Sequence, residues 1–341
     1  GKPDIATANF TGSNKVSILK NNSTAGISFA PKMDITSGAF PAGVAIGDVD
    51  QDGKPELVVA NAIDNNISVF KNTSGGGSLS FASAINYTTG EFPVRIAIGD
   101  VSEDGKNDLV VANNSSPFVS VFKRGTFGFF GKEDHPTDNS ANSVALGDLN
   151  GDGHIDIVTA HRNLNNVVSI VRNTGGGFFA AKIDYTAGAE PSSIAIGDVT
   201  GDGIPDMAVA NYNGSAISVL KNTVPQLLSF TPASAGPGTT VTISGLNLST
   251  ISYINFGLGA ASSYTLVSPT TITAVVGDQS TSGNVTVGMG GNSLQLPGFT
   301  FIPVPTITSF TPASAGNGAV VTLTGTNFAT ATAVSFGGTA A

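Results

Sequence analysis

Four nine-residue stretches carry acids at spacings that could hold a metal ion. The first is Asp48-Val49-Asp50-Gln51-Asp52-Gly53-Lys54-Pro55-Glu56, with acids at positions 1, 3, 5 and 9 and a glycine at 6. The others start at Asp100, Asp148 and Asp198, at intervals of 52, 48 and 50 residues. A hard cation such as calcium takes six to eight oxygen ligands in a flexible shell. Alternate acids in a tight loop can turn several carboxylates to one centre, and glycine at 6 permits the bend. The expected donors in the first loop are Asp48, Asp50, Asp52, the Lys54 carbonyl and Glu56.

The remaining loops follow the same plan. Their donors would be Asp100, Ser102, Asp104, the Lys106 carbonyl and Asp108; then Asp148, Asn150, Asp152, the His154 carbonyl and Asp156; then Asp198, Thr200, Asp202, the Ile204 carbonyl and Asp206. Position 3 is charged only in the first, so that loop should bind most tightly. One Ca2+ per complete loop gives four. Asp4 is the last position of a fifth, interrupted copy in which Gly1 is the first residue. An EF-hand is excluded, because position 12 is Val59, Val111, Thr159 or Val209, inside a strand pattern rather than an acid. The alternative is that the acids only solvate hairpin turns.

Other chemistry is sparse. There is no cysteine, and there are three histidines in 341 residues. His154 needs only its backbone at position 7. His161 replaces the asparagine that ends strand two elsewhere (Asn9, Asn61, Asn113, Asn211). With Arg162, Asn163 and Tyr212 it marks a turn that could face a ligand, or a tolerated substitution. The acids belong to the loops, so they do not argue for glycoside hydrolysis.

The elements that position the loops are short strands. A period near 50 residues built of strands indicates a propeller-like array. Each repeat reads as four strands: Val44 to Gly47, the loop, Leu57 to Asn61, Ile67 to Asn72, and a fourth from near Phe81 towards Tyr87. Complete blades are expected over 41–88, 93–136 and 141–186, with partial ones over 1–36 and 191–222. From Val224 the texture changes. Ser229 to Gly236 recurs word for word at Ser309 to Gly316. Residues 225–303 read as a small β-sandwich and 304–341 as the first half of another. The fold class is all-β: a partial propeller of four-stranded blades followed by immunoglobulin-like sandwich domains.

The repeats resemble the FG-GAP/VCBS family, also seen in the integrin α-chain propeller. The likeness lies in Ile46-Gly47-Asp48 through Gly53, in Glu56 to Asn61, and in their counterparts over residues 1–222. Residues 225–303 and 304–341 resemble IPT/TIG domains through Phe230-Thr231-Pro232, Gly245-Leu246-Asn247 and Phe256-Gly257. The resemblance implies a seven-bladed ring, so the chain reads as a fragment with further blades, and any signal segment, outside it.

Net charge is −9, and after Thr223 the only charged side chain is Asp278. That argues against nucleic acid as a partner. No apolar run reaches the roughly 20 residues of a membrane helix. These features predict a bacterial, secreted or surface-exposed protein that recognises protein or carbohydrate, with structural calcium. The rival is a non-catalytic accessory region of a larger secreted carbohydrate-active, hydrolytic or lyase enzyme. The variable turns between strands two and three, on the face opposite the loops, are the expected recognition positions.

Overall fold

The computed structural model describes residues 2–24, 26–125, 128–289 and 291–340. Gly1 and Ala341, the outer limits of the first and last expected segments, lie outside these. Among the described residues there are strands and turns, one 3-10 turn at Phe328–Thr330 and no α-helix. The chain forms two compact units, Gly1–Asn222 and Thr223–Ala341.

The first unit is a series of antiparallel sheets with strands in chain order. The complete blades are Pro41–Gly47, Glu56–Asn61, Asn66–Phe70 and Ile85–Thr88; Pro93–Gly99, Asp108–Asn113, Phe118–Gly125 and Gly128–Pro136; and Ala141–Gly147, Asp156–His161, Val167–Val171 and Ile183–Thr186. Three-stranded blades flank them: Ile5–Asn9, Lys15–Leu19 and Met33–Thr36 on one side, Pro191–Gly197, Asp206–Asn211 and Ala216–Leu220 on the other. The first strands of successive complete blades pack against one another and form the inner edge of the array.

Strand two explains why blades stack. Leu57, Val58, Val59 and Ala60 are all buried, on both faces of the sheet. A strand covered on both faces reads as an unbroken apolar run. The core therefore lies between blades: Val58, Ile67 and Val69 meet Leu109, Val111 and Phe122 of the next blade. The same interface recurs with Val110 and Val121 against Ile157 and Val171, and with Val158 and Ile170 against Met207 and Val209. Burying each such side chain contributes roughly 1.5–3 kcal/mol.

The glycine that ends strand one makes room for the neighbour. A Cβ on Gly47 would lie 3.0 Å from Ile98 Cδ1, one on Gly99 3.0 Å from Leu146 Cδ1, and one on Gly147 3.1 Å from Ile196 Cγ2. At Gly197 nothing lies within 4 Å. Ile217 and Val199, whose counterparts are enclosed in the middle blades, are 72% and 56% exposed in this last blade.

Strand one begins at Pro41, three residues before the expected Val44, because a bulge at Ala42 hides the alternation there. Strand four is shorter than expected, Ile85–Thr88, with Phe81 making only an isolated bridge to Asn72.

In the second unit, Gln226–Thr231, Thr240–Leu246, Thr271–Val275 and Ser263–Ser268 form one sheet. Ser234–Ala235, Asn292–Phe301, Gly283–Met289, Ile251–Phe256 and Gly259–Ala260 form the other. Val241, Ile243 and Ile272 from the first sheet and Ile254, Phe256, Val285 and Phe299 from the second make one core. Strand pairs Thr306–Thr311 with Thr322–Thr326, and Ser335–Phe336 with Thr339–Ala340, follow.

The glycine contacts give a contrast that melting can check. Gly147→Val should destabilise by about 1–3 kcal/mol, as overpacking does. Gly197→Val should be close to neutral.

Candidate metal centre and the opposite face

Each loop needs two left-handed residues to fold its acids inward. Position 6 is glycine at φ 84°, 80°, 86° and 85° (Gly53, Gly105, Gly153, Gly203). Position 4 is left-handed too: Gln51, Glu103, Gly151 and Gly201 at 63°, 62°, 74° and 74°.

The four acid positions do different work. The first accepts the glycine N–H: Gly53 N donates to Asp48 Oδ2 at 3.0 Å, Gly105 N to Asp100 Oδ2 at 2.8 Å, Gly153 N to Asp148 Oδ2 at 2.9 Å, and Gly203 N to Asp198 Oδ2 at 2.8 Å. Position 5 accepts from position 7: Lys54 N donates to Asp52, Lys106 N to Asp104, His154 N to Asp152 and Ile204 N to Asp202, all at 2.9–3.0 Å. That bond turns the position 7 amide and leaves its carbonyl as the candidate donor.

The position 9 acids, expected as donors, have a further duty: both carboxylate oxygens accept backbone N–H groups from opposite sides. Asp156 Oδ2 takes Leu149 N at 3.1 Å and Oδ1 takes Asn173 N at 2.9 Å. Glu56 takes Val49 N and Asn72 N, Asp108 takes Val101 N and Arg124 N, and Asp206 takes Val199 N and Asn222 N. Asp4 takes Asn21 N at 2.7 Å in the same way. All except Asp4 are at most 1% exposed. Any coordination by these acids uses lone pairs left over from this duty.

Burial raises the proton affinity of three of them. Glu56 and Asp108 are shifted up by loss of water, and Asp156 is pushed up to about 6. Asp206 lies below its ordinary value, held there first by the Asn222 N–H. It is enclosed by area, but it sits in the end blade with less protein around it.

In the first loop, ligand oxygens of Asp48, Asp50 and Glu56 lie within 4.8 Å of one another. Among the described residues no other three acids or histidines converge so closely. Asp48 Oδ1 is buried and accepts no hydrogen bond. A buried carboxylate oxygen without a partner is costly, and a cation relieves that cost. The Lys71 ammonium already stands beside this group, on Asp50 and 3.0 Å from Asp52 Oδ2. Those carboxylates shift its pKa upward, Asp50 most. Lys106 on Asp104 and Lys221 on Asp202 play a like part, at 2.7 and 3.1 Å. Each of those acids has its pKa lowered, Asp104 mainly by Lys106 and Asp202 first by the Ile204 N–H.

Neighbouring loops are strung together. His154 Nδ1 lies 2.5 Å from Glu103 Oε1, and Asn107 Nδ2 donates to the Asp48 carbonyl at 2.8 Å. The position 2 side chains Val49, Val101 and Leu149 plug the interface with the following blade.

The opposite face holds a motif that sequence reasoning missed. The asparagine ending strand two donates to a buried serine of strand three, which donates on to strand four. Asn61 to Ser68 is 2.8 Å and Ser68 to Asn86 2.9 Å; Asn113 to Ser120 is 3.0 Å and Ser120 to Asp134 2.9 Å. The signal was present as a serine at the same place in all five copies.

His161 breaks this relay and is not ligand-facing. It is fully buried, Nδ1–H donates to the Asn139 carbonyl at 3.2 Å, and Nε2 accepts from Thr159 Oγ1 at 2.7 Å. Burial lowers its pKa. The substitution is paired with another: Asp138 stands where other repeats have Gly38, Gly90 and Gly188, at which a Cβ would strike the asparagine. Asn163 is spent on its own turn, donating to the Asn139 carbonyl at 2.8 Å. Arg162 and Tyr212 are exposed, the guanidinium 3.5 Å above the ring centre, with Nε donating to Glu190 Oε2 at 3.3 Å.

Against known proteins, the FG-GAP-like repeat model matches residues 1–59, 48–111, 100–159 and 148–209. The IPT/TIG domain model matches 225–302 and 305–341. Both are typical of extracellular or surface proteins of the adhesion and recognition type. No curated protein matches. Among solved structures, a functionally unknown protein from Desulfotomaculum acetoxidans is 14% identical, with 81% of this chain and 86% of that one covered and a TM-score of 0.43. A protein from Lactobacillus plantarum is 11% identical, with 88% and 96% covered and a TM-score of 0.40. BBS1N, solved in complex with ARL6DN, is 14% identical, with 80% and 86% covered and a TM-score of 0.37.

Removing the buried staple should cost more than removing an exposed loop acid. In chelator, Asp156→Ala should lose about 2–5 kcal/mol in urea unfolding, since two buried N–H groups lose their acceptor. Asp52→Asn should stay within about 0.5 kcal/mol. The Asp156 pKa is raised on folding, so the pH-dependent part of its contribution is fully present below 3.8 and is lost as pH rises to about 6, while the ionised carboxylate still accepts both N–H groups. Asp156→Asn should lack that slope.

Proposed function

The chain belongs to the FG-GAP-like repeat family and carries IPT/TIG domains, and from there we propose a calcium-stabilised recognition protein of the cell exterior. Calcium has a structural role, and the ligand is carbohydrate or protein. What carries the metal reading is Asp48 Oδ1, buried and unpartnered among Asp50 and Glu56. Four carboxylates and a carbonyl are hard oxygen donors, the set that suits Ca2+. Asp48, Asp50, Asp52, the Lys54 carbonyl and Glu56 would hold it. The ion would neutralise a cluster that Lys71 otherwise serves.

The recognition reading rests on the division of labour between faces. The loop face is occupied by hydrogen bonds within and between loops. The other face presents turns of varied sequence, with Arg162, Tyr212 and Phe10 exposed. We read this region as non-catalytic. The position 9 acids are spent on backbone N–H groups, and His154 and His161 are engaged with neighbours. Among the described residues no helix is long and apolar enough to cross a membrane.

Calorimetry and melting in calcium and in chelator test the metal. Up to four ions should bind, at about 0.1–1 mM as in other extracellular modules. The melting temperature should rise with calcium. Asp50→Asn should weaken the tightest site about tenfold or more, because a charged ligand is lost. Lys71→Ala should tighten it, because the competing ammonium is gone. Unchanged melting with no bound calcium at 10-fold excess over that range, roughly 10 mM, would overturn the reading.

A further inference from the structure

The recognition reading, on which this section rests, leaves open what the face opposite the loops takes. Two backbone devices recur there. First, every inner strand bulges at its second residue. The register against strand two jumps from Pro41 to Gly43, Pro93 to Arg95, Ala141 to Ser143 and Pro191 to Ser193. A bulge re-aims side chains, and the extra residues are Ala42, Val94, Asn142 and Ser192.

Second, the residue before each inner strand is left-handed without being glycine. Phe40, Phe92, Ser140 and Glu190 have φ of 54°, 53°, 64° and 53°. That backbone is costly for phenylalanine and persists only where the surroundings hold it. The holding bond is visible each time. Ala62 N donates to the Phe40 carbonyl, Asn114 N to Phe92, Arg162 N to Ser140 and Tyr212 N to Glu190, at 2.9–3.0 Å.

These devices surround a cavity of about 460 Å³, lined among others by Phe10, Phe92, Arg95, Asn114, Asn142 and Arg162. The volume is within the range of small-ligand pockets. One wall is hydrocarbon: Phe10 packs edge-on against Phe40 and Phe92, with centroids 5.6 and 6.5 Å apart. Another is amide, where Asn114 Nδ2 donates to Asn142 Oδ1 at 2.8 Å. Arg162 is committed to Tyr212 and Glu190. Arg95 is not. Its Nη1 donates to the carbonyls of Ala42 and Val94, both at 3.1 Å, and no carboxylate pairs with it among the described residues. No acid lines the cavity. In a chain of net charge −9, this is a guanidinium kept available for an anion.

We propose that this cavity binds an acidic saccharide, with Arg95 taking the carboxylate of a uronate residue. The planar fork of arginine suits a carboxylate bidentately. Phe92 and Phe10 meet the apolar C–H face of the sugar ring, and the Asn114 and Asn142 amides meet its hydroxyls. A peptide is the poorer fit. Extended peptides dock on regular open strand edges, and the bulges at Ala42, Val94 and Asn142 interrupt the edges of the inner strands at this cavity.

The test is calorimetry on the full chain at fixed excess calcium with three probes: trigalacturonate, the neutral galactose trisaccharide, and an Asp-containing hexapeptide. Trigalacturonate should bind about tenfold or more tightly than the neutral sugar, the scale of one charge-assisted pair. Arg95→Gln should remove that preference without lowering the melting temperature. Phe92→Asn, a residue that tolerates the left-handed backbone, should weaken both sugars. An Arg95→Gln protein that binds trigalacturonate as well as the parent overturns the proposal. If the neutral sugar or the peptide binds better than the uronate, this site is wrong but the recognition reading stands. If no probe binds, and an array of glycans and matrix proteins is also blank, both fail.

Discussion

The array depends on one carboxylate per blade, buried in all but the first. The acid at position 9 reaches back to the N–H of position 2 and across to the N–H that ends strand three, as Asp156 does to Leu149 and Asn173. Those two donors belong to different hairpins of one sheet. No neighbouring backbone carbonyl could reach both, because the loop leaves the ladder where they emerge. A carboxylate has two acceptor oxygens and a fixed spread, so it satisfies both at once. In an enclosed site the alternative is two unpaired amides, which is expensive. Glu56 does the same with a longer side chain, which places its oxygens 3.0 and 3.3 Å from the two donors.

That staple also links the loop to the blade interface. Position 2 donates its N–H to the staple and sends its side chain, Val49, Val101 or Leu149, into the following blade's core. The strand-three asparagine uses its own side chain similarly. Asn173 Nδ2 donates to the Val101 carbonyl of the preceding blade at 2.8 Å, and Asn222 does the same to Leu149 at 2.5 Å. Loop closure, sheet integrity and blade stacking are therefore coupled through the same few atoms. A cation held by the loop donors would act on an already stapled loop, adding stiffness rather than creating the fold.

The fold class was legible in the sequence because two periods coincide there, alternation along strands and a repeat near 50 residues. The loop acids were legible too, but their separate roles were not. Position 9 looks like positions 1, 3 and 5 in sequence, and only enclosure distinguishes it. The asparagine–serine relay was invisible for a related reason. Ser68 lies between Ile67 and Val69, which reads as a half-buried strand with a wet side. Blades are covered on both faces, so that wet side is inside, and the serine needs Asn61 and Asn86. His161 stood out as a substitution, but its companion, Asp138 in a glycine position, is 23 residues away and carries no local signal.

The same scaffold gives its two faces opposite physical characters. On the loop face every repeat repeats its acids, because the staple and the bends demand them. On the other face the repeated features are backbone ones: a bulge, a left-handed residue and a carbonyl that accepts one N–H. A backbone device constrains position without specifying the side chain. Hence the equivalent places hold Phe40, Phe92, Ser140 and Glu190, or Ala42, Val94, Asn142 and Ser192. Side chains of different chemistry are thus delivered to one cavity by a recurring geometry: Phe10 comes from one repeat, Phe92, Arg95 and Asn114 from a second, and Asn142 from a third. Chemical variety at fixed positions is what a recognition surface needs, and it arises here because the carboxylate staple on the far side already holds the blades.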